Sequence, residues 1–152
     1  MSPDVYLNPE DNLEYGEINE SFNDLHKQIA RIQKELQSFR VPKIWSFGAF
    51  GALKKIGRRL HPLQSKANQR RQRALDFYLN HRYTIPPDAD RALTIIRFQQ
   101  VLLYRIHQSE DSTMRIVENF NRIASQLKDQ RNLTIAITSP IMGLIVSSLQ
   151  FL

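Results

Sequence analysis

Ammonium and guanidinium groups crowd one fifth of this chain, and their chemistry is contact with anionic oxygen. Between residues 54 and 82 stand Lys54, Lys55, Arg58, Arg59, Lys66, Arg70, Arg71, Arg73 and Arg82, opposed by the single acid Asp76. Arginine pairs bidentately with phosphate or carboxylate, and lysine meets either as a point charge. Lys54, Lys55, Arg58, Arg59, Lys66, Arg70, Arg71 and Arg73 are therefore the candidate residues for a membrane surface or a phosphate-bearing ligand. A solvated basic face accounts for the same residues equally well.

Bond-making chemistry finds no comparable set. The chain has no cysteine, which excludes disulfides, thiolate metal sites and a cysteine nucleophile, and is easiest to reconcile with an intracellular location. His26, His61, His81 and His107 are scattered without metal-ligand spacing. Neither a Gly-rich phosphate loop nor a dinucleotide fingerprint is present, and the glycines of FGAFGALKK sit in an amphipathic segment. The expectation is a protein that is not an enzyme and carries no cofactor or metal.

The elements that would position the bases follow from periodicity. The first 24 residues hold seven acids and no base, and the net charge of the whole is +6. Residues 1–19 read as an acidic flexible arm that could shield the basic surface, without the basic start and apolar run of an export signal. In SFNDLHKQIARIQKELQSF, Phe22, Leu25, Ile29, Ile32, Leu36 and Phe39 recur at alternating spacings of three and four. That is the seam of a heptad helix, too short to be a strong coiled coil without a partner in the chain or a second copy. Pro42 closes it.

The basic segment 43–82 follows. In KIWSFGAFGALKKIGRRLHP, Trp45, Phe50, Leu53, Ile56 and Leu60 share one arc of a helix, with Lys54, Lys55, Arg58 and Arg59 opposite. Such a helix either lies in the headgroup region of an anionic membrane, with Trp45 and Phe50 as interfacial aromatics, or packs its apolar face in a core and exposes its bases. Gly48, Gly51 and Gly57 each weaken it by about 1 kcal/mol relative to Ala. Residues 64–82 read as a further helix with a thin apolar stripe. KANQRRQR suits phosphate on lipid or nucleic acid, yet no base-reading motif accompanies it.

After Pro86 and Pro87, Asp88 is placed to cap a helix. Ile95, Leu102, Ile116 and Ile123 fall on one seven-residue grid, Ile106, Phe120 and Leu127 on its partner, with Gln99, Ser109 and Thr113 as polar interruptions. This register favours one long helix over a hairpin folded at Ser109–Ser112. From Leu133 to Leu152 there is no charged residue and no histidine. Twenty helical residues reach across a hydrocarbon layer of about 30 Å. Ser139, Gly143 and Ser147 form a small-residue stripe suited to helix packing in lipid, and Lys128 and Arg131 precede the segment as cytosolic-side charges do. A buried soluble helix and a pair of strands turned at Ser139-Pro140 are the competing readings. The run KDQRNLTIAITSPIMGLIVSSLQF is similar to the place where the stalk helix of CorA-type ion transporters enters the bilayer. The chain lacks that family's Gly-Met-Asn signature and second span, so the resemblance implies no transport function.

The sequence therefore predicts an all-α protein: an acidic arm over 1–19, a helical region over 20–132 and a C-terminal transmembrane anchor over 133–152. The bulk of the chain would stand on the cytosolic side of a membrane, as a scaffold or assembly protein that self-associates, a pore being one form of that, or pairs with a partner helix. The alternative is a soluble helical module that binds nucleic acid or an acidic protein through its basic region.

Overall fold

A computed structural model describes residues 13–42, 46–81 and 88–149; the side chains of His81 and of 141–149 lie outside that description. Three helices account for it: α1 (Leu13–Ser38), α2 (Phe47–His81) and α3 (Ala89–Leu149). No strand occurs among the described residues, so the stretch through Leu149 is not a β-hairpin.

Each helix contributes one heptad seam to a shared core. On α1 the buried residues are Tyr15, Ile18, Phe22, Leu25, Ile29, Ile32 and Leu36. The helix thus begins at Leu13, inside the expected acidic arm, because Tyr15 and Ile18 extend the apolar stripe one heptad toward the N-terminus. Tyr15 packs edge-on against Phe98 of α3, with ring centroids 5.3 Å apart, and tilted against Phe77 of α2 at 6.2 Å. On α2, Leu53, Ile56, Leu60, Leu63 and Ala67 are buried at the same alternating spacing, and Ala74 one heptad further on. The seam runs through Pro62, and a single helix, Phe47–His81, stands where two were expected. Ser46 caps α2, its hydroxyl accepting from the Ala49 amide at 3.3 Å.

Five of the seven grid positions on α3, Leu102, Ile106, Ile116, Ile123 and Leu127, are buried in one continuous helix, and Ile95 and Phe120 are partly buried. Asp88 caps it, accepting from the Asp90 amide at 3.3 Å. Ser109 and Thr113 also lie in the core, where the Ser109 hydroxyl donates to the Ile106 carbonyl at 2.8 Å and the Thr113 hydroxyl to the Ser109 carbonyl at 2.6 Å. Burying a hydroxyl is costly only when it lacks a partner, and here the helix supplies one.

Cross-helix pairs fix direction. Arg59 meets Glu35, Arg70 meets Asp24 and Arg73 meets Glu17, which sets α2 antiparallel to α1. Tyr15 meets Phe98, and further along both helices Arg105 donates to Asn23 Oδ1 at 2.9 Å, setting α3 parallel to α1. The result is an up-down-up bundle. Where α1 ends and α2 begins, α3 continues alone.

Candidate functional site: the basic pole and the apolar extension

The basic residues divide into two groups along α2. Arg59 forms a two-pronged pair with Glu35. Arg70 reaches the Ser21 carbonyl at 2.6 Å and Asp24 at 3.0 Å, Arg71 reaches Glu110 at 3.2 Å, and Arg73 reaches Glu17 at 2.7 Å. These arginines tie α2 to its neighbours. Their guanidinium groups hold the Asp24 and Glu35 carboxyls below the ordinary carboxylate range, chiefly through the hydrogen bonds that Arg70 and Arg59 donate. By contrast, Lys54, Lys55, Arg58 and Lys66 are exposed and make no ion pair among the described residues.

The two ends of the bundle differ in charge. At one pole the acids Glu14, Glu17, Asp88 and Asp90 gather with Arg73 and Arg91. At the other, Lys54 and Lys55 on the opening turns of α2 stand with Lys128 and Arg131 on α3, against Asp129. There Phe50, half exposed, covers a recess of about 310 Å³ lined also by Ala124, Leu127, Lys128 and Arg131. Trp45, the other aromatic expected at an interface, lies outside the described residues.

From this basic pole the helix projects. Leu127 is the last buried residue of α3 among the described side chains, and Leu133, Ile135 and Ile137 are 62%, 56% and 56% exposed. At 100° per residue, Leu133 and Ile137 share one face while Ile135 points almost opposite, so one packed neighbour cannot cover all three. Thr134 and Thr138 hide their hydroxyls by donating to the carbonyls of Gln130 and Thr134, at 2.8 and 2.9 Å. That leaves the outer surface of the extension more apolar than its composition suggests.

Of the two readings that the sequence left open for the basic helix, the core-packed one is seen: Leu53, Ile56 and Leu60 are buried in the bundle, so that arc does not lie free for a membrane surface. One sequence expectation needs correction. The transmembrane helix over 133–152 is not supported: among the described residues no helix is long and apolar enough to cross a membrane. Thr134, Thr138, Ser139 and Pro140 interrupt the apolar run, and the side chains beyond Pro140 lie outside the description, including those of Gly143 and Ser147.

No family model, curated protein or solved structure matches the chain. Its own geometry must carry the functional reading. Among the described residues no three His, Asp or Glu side chains converge as metal ligands would. What the sequence left unread was the pairing of Arg59, Arg70, Arg71 and Arg73. Arg59, Arg70 and Arg71 stand three or four residues from core positions of α2 and Arg73 next to Ala74, which places them beside the seam, within reach of acids on α1 and α3, and that was the available signal.

Proposed function

We propose that this protein is a membrane-associated helical scaffold: the extension of α3 enters the apolar layer and the free bases of the basic pole hold the bundle against anionic headgroups. One observation carries the reading. An unbroken helix leaves the bundle at its basic end and exposes Leu133, Ile135 and Ile137 on opposite sides. Water around them is unfavourable by about 25 cal/mol per Å² of apolar surface, and lipid removes that cost on every side at once. The anionic cytoplasmic leaflet attracts bases by about 1 kcal/mol each near the surface, so Lys54, Lys55, Lys128 and Arg131 favour the cytosolic side.

Fractionation tests this. The full-length chain is expected to sediment with membranes, resist alkaline carbonate and dissolve in detergent, and Ile135→Glu/Ile137→Glu to release it. Recovery of the unaltered chain in the soluble fraction without detergent would sink the proposal. Self-association follows from the spacing of Ser139, Gly143 and Ser147 on this extension, and Gly143→Leu is expected to reduce oligomer size in detergent. Nucleic-acid binding is less favoured, because four of the arginines it would use are engaged within the bundle.

A further inference from the structure

A second group of free bases lies away from the extension, along the seam between α1 and α2. There a groove of about 440 Å³ is floored by Ile32, Pro62 and Leu63 and rimmed by Arg31 from α1 and by Arg58 and Lys66 from α2. Arg58, Pro62 and Lys66 recur every fourth residue and so follow one line along the helix. The short ring of Pro62 between two long side chains opens the hollow, and Arg31 faces it from the other helix. Two more charges at the rim, Arg59 and Asp24, are engaged by Glu35 and Arg70. Arg31, Arg58 and Lys66 have no ion-pair partner among the described residues.

Three like charges around one hollow repel one another, and they make none of the cross-helix pairs that Arg59, Arg70, Arg71 and Arg73 make. Their placement serves an anion better than it serves the bundle. Arg58 and Lys66 are two turns apart, about 12 Å along the axis. One phosphate cannot engage both heads in their extended positions, whereas two phosphates on a compact scaffold can, with Arg31 bridging from across the groove. Guanidinium groups favour phosphate through paired, charge-assisted hydrogen bonds. The apolar floor suits the carbon framework of such a ligand.

We propose that the groove between α1 and α2 binds a compact anion bearing two or more phosphate groups, either a bisphosphorylated lipid headgroup or a free polyphosphate. This site does not depend on the membrane reading, since none of its residues belongs to the extension of α3.

The test is calorimetric titration of the full-length chain, in zwitterionic detergent micelles, with inositol hexakisphosphate and with inorganic pyrophosphate. Saturable binding is expected, weakened about tenfold by Arg58→Gln or Lys66→Gln and about a hundredfold by the pair. Arg115→Gln, which removes an equal charge from an exposed position on α3, is expected to leave it unchanged. Absence of saturable binding, or equal weakening by all three single substitutions, would overturn the site in favour of diffuse charge. Flotation with vesicles of equal net charge then assigns the source: preference for phosphatidylinositol bisphosphate over phosphatidylserine, lost in the paired variant, identifies the headgroup, and binding of the soluble anions without that preference identifies the free form.

Discussion

Gly57 on α2 lies directly against the Phe120 ring of α3. A Cβ built on it would lie 2.9 Å from Cζ of Phe120, nearer than side-chain carbons come, so the residue that weakens α2 as a helix is the one that lets Phe120 seat. Gly57→Val is expected to cost about 1–3 kcal/mol by overpacking, measured by urea unfolding, and Phe120→Ala in the same chain should remove part of that penalty. His26 offers a second residue-scale expectation. Its Nε2 is buried without a hydrogen-bond partner in the described structure, and burial first, then the Arg105 guanidinium, holds its pKa below the ordinary histidine value. The unfolded chain therefore takes the proton more readily, so this contribution to stability is whole above about pH 6.5 and is lost as pH falls through the folded value. Thermal midpoints should decline between about pH 7 and 5, and His26→Leu should flatten that decline. Asp24 and Glu35, also held low, act in a separate, more acid window: their contributions are present above the ordinary carboxylate range and lost below it.

At the scale of elements, α2 shows how a seam overrides local preference. Three glycines and Pro62 argue against a long helix, yet Leu53, Ile56, Leu60, Leu63, Ala67 and Ala74 keep one register across it. Pro62 removes the amide that would bond the Arg58 carbonyl. Pro62→Ala is expected to raise stability by about 1–3 kcal/mol, read by denaturant midpoint, because the exposed ring is not part of the core. The heptads of α1 and α3 were legible in the sequence because their core positions are large and apolar. That of α2 was harder to read: two of its seam positions are alanines, and the aromatics of its first turn, Phe47 and Phe50, lie off the seam. The candidate site was legible as charge only. Which bases are spent in pairs and which stand free depends on acids many residues away, such as Glu35 for Arg59 and Glu110 for Arg71, and no local pattern encodes those distances.

For the whole molecule, the exposed bases Lys54, Lys55, Lys128 and Arg131 at the end where α3 leaves the bundle predict orientation. Binding to phosphatidylserine vesicles should weaken with added salt, since exposed charges are screened over about 8–10 Å at physiological ionic strength. Lys54→Glu/Lys128→Glu should reduce it further, as measured by co-sedimentation, while far-ultraviolet circular dichroism stays the same because neither residue is in the core.

The helix that supplies a third of the core is also the one that leaves it. From Ala89 to Ser139 α3 contains no proline and no glycine, so it is a stiff rod of about 75 Å at 1.5 Å per residue. A lever results, with its fulcrum where Leu127 leaves the core. Any tilt or twist applied beyond Arg131 is transmitted along the rod to Phe98 and the Tyr15 ring lodged against it. Pulling on one end of this molecule therefore strains the packing at the other.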